Sequence, residues 1–267
     1  MGAVALVYQP YRPETLETAQ EVAAWLGRRG TESALLSAFD LDRPAAQFQI
    51  AMSFGGDGTT LRTARWAVTA AVPVIPVGMG TLSFLAELAP SDIEMRLAAY
   101  LEGDFWRDER AMLELSYGDR RVLALNDVVV ARGAPIRAVS VDLAVHGYAV
   151  TRYTADGLVV ATATGSTAYA LSVGGPVLAP ELRSMVVAPI AGHLSSLRAM
   201  VLPESAVLTL TVVRRQAAVV SADGQVDFDL PVGASVGVRV ADVRTVFARR
   251  GDPGLFYAKL TARLRRG

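Results

Sequence analysis

The chain has 267 residues, of which 52% are hydrophobic, and this allows one large or two ordinary globular domains. It contains no cysteine, which excludes disulfides, thiolate nucleophiles and cysteine-ligated metal sites, and its formal net charge of zero gives no indication of a nucleic-acid partner. The apolar stretches are only as long as strands and no basic region precedes the first one, so we expect no membrane span, no signal peptide and a cytoplasmic location.

The first hundred residues alternate between segments typical of buried strands and segments with helical spacing of apolar side chains. In the first helical segment, Leu16, Ala19 and Val22 recur on one face. Strands are predicted at residues 3–8, 34–36, 50–54 and 72–77, and helices at residues 13–26, 61–71 and 92–102. This order predicts a doubly wound α/β domain over residues 1–103, with ligands at the carboxyl ends of its strands.

The first predicted site is the glycine-rich turn GGDGTT at residues 55–60, which joins a strand to the following helix. Backbone N–H groups at such a helix N-terminus favour phosphate. Asp57 is the only ionisable side chain in the turn, and a carboxylate beside phosphate either holds a metal ion or accepts a proton from a nucleophile. The alternative is that Asp57 makes an Asx-turn. The predicted phosphate-binding loop consists of Gly55, Gly56, Gly58 and Thr59.

Two scarce residue types restrict the chemistry. Lys259 is the only lysine, so the phosphate loop G-x-x-x-x-G-K-[ST] is absent, and any bound phosphate must be held by glycine amides and arginines. His146 and His193 are the only histidines and no G-x-S-x-G sequence accompanies them, which disfavours a histidine-rich metal site and a Ser-His-Asp triad.

A second glycine-containing turn, GMGTLSFL at residues 78–85, follows the strand at residues 72–77. It does not fit the dinucleotide fingerprint G-x-G-x-x-G, because Ser83 occupies the third glycine position. We interpret it as a second glycine turn beside the first one, the alternative being an ordinary loop between a strand and a helix.

The pattern changes near residue 105, where short strands and turns replace the helices. Val139, Val141 and Leu143 alternate with other residues, as expected for a half-buried strand. We therefore predict a β-rich, sandwich-like domain over residues 104–253, followed by a helix at residues 254–267 whose apolar stripe is a packing face. Further strands are predicted at residues 112–117, 121–125, 128–130 and 236–240.

The most distinctive stretch of the β-rich half is TADGLVVATATGSTAY, at residues 154–169. Its small hydroxyl side chains and the ring of Tyr169 suit the ribose and the base of a nucleoside. The alternative is a Ser/Thr-rich turn that caps a helix beginning near Ala168.

Five segments in a fixed order combine these features. They are GGDGTTLRTAR (55–65), LND (125–127), ADGLVVATATGSTAYALSVGGP (155–176), VAPIAGH (187–193) and DGQ (223–225). Together they resemble the NAD kinases over most of the chain. The resemblance implies a fold of the NAD kinase and diacylglycerol kinase type. It also implies a phosphotransferase that uses ATP and Mg²⁺ to phosphorylate the 2′-hydroxyl of the adenosine ribose of NAD, giving NADP and ADP.

The resemblance also implies roles for individual residues. Asp57 matches the catalytic carboxylate that accepts the 2′-hydroxyl proton, and no residue is assigned as a direct metal ligand. Asn126-Asp127 matches an Asn-Glu pair that holds adenine and ribose, so Asp127 is one methylene shorter than the usual glutamate. The implied NAD-binding residues are Asp57, Gly58, Arg62, Asn126, Asp127, Arg137, Asp156, Thr167, Ala168, Tyr169, Ser172 and Gln225.

Some positions depart from the family pattern. Thr154 stands where many relatives have arginine, and Arg152 is close enough in the sequence to be a candidate to replace it. Ala161 and Ala163 replace a serine and a proline, while Gly192 precedes His193 in place of the usual proline. These differences bear on local contacts, and we interpret His193 as structural.

We expect NAD to lie in the cleft between the two domains. By resemblance, the helix at residues 254–267 packs back on the first domain, and the protein is a homodimer or homotetramer. The alternatives are a lipid kinase of the diacylglycerol or sphingosine type, which shares the glycine loop and needs an apolar acyl cleft, and a non-catalytic NAD-sensing protein.

Overall fold

The computed structural model describes residues 2–80, 83–133, 138–191, 198–214 and 217–265. It forms two compact units. Unit one comprises Met1–Glu109 and Arg244–Gly267, and unit two comprises Arg110–Val243. The sequence placed the corresponding boundary near residue 103 and assigned residues 244–253 to the second domain.

Unit one is built on a parallel sheet whose first strand is flanked on both sides by later strands. Its strands lie in the order β2, β1, β3, β4. Such a sheet requires crossover connections, which the helices provide. Its elements in chain order are β1 (Ala3–Tyr8), α1 (Pro13–Gly27), β2 (Ser33–Ser37), β3 (Phe48–Gly55), α2 (Asp57–Ala67), β4 (Val74–Gly78) and α3 (Ile93–Leu101).

The end of the chain completes unit one. The last strand, β16 (Ser235–Arg249), pairs in parallel with β4 through Phe247 and Val74. Helix α5 (Leu255–Leu264) follows, and the ring of Phe256 packs edge-on against Phe84 at 5.6 Å between centroids.

The apolar strand interiors explain why unit one folds around its sheet. The four inner residues of β1 are fully buried, and α1 and α3 cover the face that carries Val4 and Leu6 with Trp25, Leu97 and Tyr100. The carboxyl ends of β3 and β4 lie side by side, because Gly55 is paired with Gly78 and the Met79 N–H donates to the Gly55 carbonyl. This confirms that the two glycine turns are neighbours.

Unit two contains two antiparallel sheets. One has the order β12, β11, β10, β7, β14, β15, and the other follows β16, β13, β8, β9, with β5 paired to β16 and β6. Alternating apolar side chains from both sheets form a shared core that includes Leu143, Val160 and Leu210. The strands are β5 (Trp106–Tyr117), β6 (Arg120–Ala124), β7 (Asp127–Arg132), β8 (Val139–Val145), β9 (Tyr148–Ala155), β10 (Gly157–Thr162), β11 (Ser184–Ile190), β12 (Met200–Pro203), β13 (Val207–Arg214), β14 (Ala218–Ala222) and β15 (Val226–Leu230).

The predicted fold class, an α/β unit followed by a β-rich unit, is confirmed. The helix expected to begin near Ala168 is only the four-residue α4 (Tyr169–Ser172), preceded by a 3-10 turn at Gly165–Thr167. It ends early because the chain reaches the Gly174-Gly175 pair, and Gly174 has a positive φ of 83°. In the parts of the chain that the structure describes, no helix is long and apolar enough to cross a membrane.

Candidate active site

Asp57 begins helix α2 and is held by a segment that lies much later in the sequence. Its Oδ1 accepts hydrogen bonds from the Ser83 hydroxyl at 2.6 Å and the Leu85 N–H at 3.1 Å, and its Oδ2 accepts one from the Phe84 N–H at 3.1 Å. These donors are 26 to 28 residues away along the chain. The Asx-turn interpretation is therefore wrong, since the carboxylate bonds the neighbouring loop rather than its own turn.

The glycine-rich turn is tightly packed at its start and open further on. A Cβ on Gly55 would lie 2.8 Å from the Cβ of Thr59, so this position requires glycine. A Cβ on Gly56 or Gly58 would meet no atom within 4 Å. Packing therefore does not require glycine at these two positions, where the missing side chains leave the backbone open to a ligand. The buried Thr60 hydroxyl shares a hydrogen bond of 3.0 Å with Ser53 on β3, which anchors the helix start.

Arg62 lies one turn further along α2. Its guanidinium stacks over the ring of Phe39 at 4.2 Å from the centroid, and both line a surface cavity of about 200 Å³ with Arg65 and Trp66. The expected approach of Arg62 to a phosphate stays a prediction.

Unit two contains a cavity of about 350 Å³, which is within the size range of small-ligand sites. Four of the residues predicted to bind NAD meet there, namely Asn126, Asp127, Ala168 and Tyr169. Tyr169 is 42% exposed and can offer a ring face to a base. The other lining residues are Val129, Ser221, Asp223 and Gly224.

Close packing brings the two sequence motifs of this cavity together. A Cβ on Gly165 would come within 2.7 Å of the Asn126 Cα, so only glycine allows this approach. The buried Thr162 hydroxyl donates to the Leu125 carbonyl at 2.7 Å and accepts from the Gly165 N–H at 2.9 Å. The hydroxyl-rich block therefore fixes the backbone that carries Asn126.

Asp223 fixes the same backbone from the other side, and the sequence reasoning missed it. Its carboxylate accepts the N–H groups of Leu125 at 2.8 Å, Asn126 at 2.8 Å and Asp127 at 3.2 Å. Its own N–H donates to the Asp127 carbonyl at 2.9 Å. The signal was present in the Asp223-Gly224 dipeptide, a typical tight-hairpin sequence, and both residues have positive φ angles, of 54° and 62°.

Asp127 is a carboxyl group of the cavity whose pKa is strongly perturbed. It is only 6% exposed. Burial and, secondly, the charge of Asp223 raise the pKa of Asp127 to about 7. Near neutral pH a substantial fraction of this carboxyl group is protonated, and in that form it can donate as well as accept a hydrogen bond.

Other predicted contacts lie beside the cavity rather than on its surface. The hydroxyl of the buried Thr167 donates to the Thr164 carbonyl at 3.1 Å, and the Ser172 hydroxyl donates to the Ala168 carbonyl at 3.5 Å. Gln225 follows Gly224 in the hairpin turn, where its N–H donates to Ala222.

Asp156 lies outside the cavity and forms an ion pair of 3.2 Å with Arg132. The substitution of Arg152 for the missing arginine stays a prediction. Arg152 makes a bidentate pair with Asp142, its direct cross-strand partner on β8.

Arg137, Gly192 and His193 lie outside the described residues. The alanines at 161 and 163 are buried in an apolar cluster, which accounts for their lack of polar groups.

Models of two protein domains match the chain. The ATP-NAD kinase N-terminal domain matches residues 37–105, and the ATP-NAD kinase C-terminal domain matches residues 125–250. The chain is 38% identical to the NAD kinase of Chloroflexus aurantiacus, with 98% of each chain covered. It is 36% identical to that of Heliobacterium modesticaldum, with 96% of each covered.

Solved structures agree. An NAD kinase from Archaeoglobus fulgidus in complex with ATP has a TM-score of 0.82 and 27% identity, with 98% of this chain and 99% of that chain covered. A yeast NADH kinase complexed with NADH shares the fold, with a TM-score of 0.84, 23% identity and coverage of 98% and 86%.

A glycine loop with a fixed carboxylate in unit one and a small-ligand cavity in unit two are features expected of a phosphotransferase that acts on a nucleotide, the class to which the matched proteins belong. The chain belongs to the NAD kinase family. Its function is that of an NAD kinase, and the matches support neither a lipid kinase nor a non-catalytic sensor.

Proposed function

We propose that the chain transfers the γ-phosphoryl group of ATP to the 2′-hydroxyl of the adenosine ribose of NAD, with Asp57 as the general base. The ribose oxygen forms a bond to the γ-phosphorus, the bond from that phosphorus to the β,γ-bridging oxygen breaks, and ADP leaves. The proton of the hydroxyl passes to the carboxylate of Asp57. Such a transfer depends on position and charge stabilisation more than on covalent assistance.

The hydrogen-bonding geometry of Asp57 is the observation that carries this proposal. A carboxylate has about four acceptor positions. Oδ1 uses two of them, for Ser83 and Leu85, and Oδ2 uses one, for Phe84. Among the described residues nothing else donates to the group, so Oδ2 keeps one acceptor position, and we assign the incoming proton to it.

The cavity in unit two supports an adenosine subsite. We assign the adenine ring to the exposed face of Tyr169 and the hydrogen bonds of adenine and ribose to Asn126 and Asp127. With a pKa near 7, Asp127 supplies a donor or an acceptor to a ribose hydroxyl or a ring nitrogen. The remaining contacts expected from the family, Gly58, Arg62, Asp156, Thr167, Ala168, Ser172 and Gln225, belong to the same proposal.

ATP as donor is supported by the complex of the Archaeoglobus fulgidus enzyme with ATP. Among the described residues no group of three or more acidic or histidine side chains could hold a metal ion. In phosphotransferases Mg²⁺ is held largely by substrate phosphates, with one or two carboxylates. When bound, Mg²⁺ neutralises the charge of the phosphates. We further propose a cytoplasmic homodimer or homotetramer, on the family resemblance.

The replacement Asp57→Asn tests the assignment, because asparagine keeps the size of the side chain and removes the base. We expect kcat to fall by about 10²–10⁴-fold while NAD still binds. NADP formation from NAD, ATP and Mg²⁺ is followed with an NADP-specific dehydrogenase, and NAD binding by calorimetry. The exposed Asp42→Asn is the matched control. An Asp57→Asn variant that binds NAD and retains the parent kcat would remove Asp57 from the mechanism.

A further inference from the structure

All three donors to Asp57 come from one short segment, Ser83–Ala86, and only one of them is a side chain. The Ser83 Oγ lies 2.6 Å from Oδ1, a length typical of a charge-assisted O–H···O⁻ bond. The Ala86 N–H donates to the same Ser83 Oγ at 3.2 Å. Because that N–H occupies an acceptor position of the hydroxyl, the hydroxyl proton is directed at Asp57.

Two cations hold this segment from its carbonyl side. Lys259 on α5 donates to the carbonyls of Phe84, at 3.3 Å, and Ala86. Arg249 at the end of β16 donates to the carbonyl of Leu85 at 2.8 Å. Arg249 is itself buried and paired with Asp108 at 3.2 Å and Glu87 at 3.5 Å, so its position is fixed.

Each cation contacts a peptide group whose N–H is hydrogen-bonded to Asp57, either directly or through the Ser83 hydroxyl. The Phe84 carbonyl belongs to the peptide group whose N–H, on Leu85, donates to Oδ1. The Leu85 carbonyl belongs to the peptide group whose N–H, on Ala86, donates to the Ser83 hydroxyl. A cation at a carbonyl polarises the amide and strengthens its N–H as a donor. Two series of hydrogen bonds, one starting at Lys259 and the other at Arg249, therefore both end at Oδ1 of Asp57.

We propose that Ser83 is a positioning residue for the phosphoryl-transfer reaction, and that Lys259 and Arg249 act on Asp57 through the peptide groups of residues 84–86. Together these residues occupy the acceptor positions of Oδ1 and orient Oδ2 towards the 2′-hydroxyl of the ribose. This proposal rests on the assignment of Asp57 as the general base. It gives the only lysine of the chain a role in the rate of the reaction without contact to either substrate.

The replacement Ser83→Ala removes the hydroxyl and leaves the two backbone donors. We expect kcat to fall about 10- to 100-fold, the range for a misplaced catalytic group, with both KM values within about twofold of the parent. Lys259→Met keeps the length of the side chain and removes its charge, and we expect a smaller loss of kcat with the same unchanged KM. Matched controls are Ser91→Ala in unit one and Thr261→Ala on α5, both exposed.

A double-mutant cycle separates positioning from a structural role. If Ser83 acts through Asp57, adding Ser83→Ala to the Asp57→Asn variant leaves its residual rate unchanged, measured at high enzyme concentration. A further loss in the double variant would overturn the proposal. So would a parent-like or higher kcat for Ser83→Ala, or an effect confined to KM. If Asp57→Asn alone retains the parent rate, the assignment of the base has failed instead, and the two failures are thereby distinguished.

Discussion

Replacing Asp127 by asparagine tests the chemistry of the cavity, because the buried carboxyl group makes the stability of the protein depend on pH. The pKa of Asp127 is raised to about 7 in the folded protein, against about 3.9 in an unfolded chain. Between these values the folded protein binds more protons than the unfolded chain. The contribution of this group to stability is therefore complete below about pH 4 and is lost as the pH rises towards 7.

The magnitude follows from the size of the shift. A difference of about 3 pKa units corresponds to about 4 kcal/mol at about 1.4 kcal/mol per unit. Asparagine resembles the protonated carboxyl group and cannot ionise. We therefore expect the free energy of unfolding of Asp127→Asn to equal that of the parent at about pH 4, to exceed it by about 2 kcal/mol near pH 5.5, and by about 4 kcal/mol at pH 8.

Urea unfolding of the parent and the variant at these three pH values, followed by circular dichroism, measures the difference. The exposed Asp229→Asn on β15, two strands away in the same sheet, is the control and should show no comparable trend. A difference between parent and Asp127→Asn that stays constant from pH 4 to pH 8 would refute the burial argument.

Two further substitutions test the packing of the sites. Gly165→Ala forces a Cβ to within 2.7 Å of the Asn126 Cα. We therefore expect about 1–3 kcal/mol of destabilisation by urea unfolding and a raised KM for NAD. The control Gly27→Ala has free space around it and should show neither effect. Arg249→Leu removes a buried cation from the carboxylates of Asp108 and Glu87 and should cost about 3–5 kcal/mol in the same assay. The control Arg183→Leu breaks an ion pair whose arginine side chain is 78% exposed and should cost less than about 1 kcal/mol; equal losses would contradict the role of burial.

Local patterns predicted the elements of the first hundred residues and part of the strands of the β-rich unit. The apolar run of β1 and the glycine turn before α2 depend on neighbouring residues, so the strand and the loop were both predicted. The meeting of Asn126 with Tyr169 was expected from the family resemblance, and the structure shows its physical basis in the missing side chain of Gly165.

Contacts between distant parts of the chain could not be predicted in the same way. Ser83 reaches Asp57 from 26 residues away, and Asp223 reaches Asn126 from 97 residues away. Neither contact can be predicted from a periodicity or a motif spacing, because each one depends on which strands become neighbours in a sheet. The pairing of Arg152 with Asp142 likewise follows from strand register, which the sequence pattern did not settle.

Unit one is made from two separated pieces of chain, and this affects how the enzyme is produced in the cell. A ribosome adds about 5–20 residues per second, so synthesis of residues 110–243 occupies on the order of ten seconds after the segment with Asp57 has been made. Until Arg249 and Lys259 emerge, the nascent chain lacks both cations that donate to the carbonyls of residues 84–86. A chain that stops before residue 244 therefore lacks the last part of β16 and helix α5, and it cannot complete unit one.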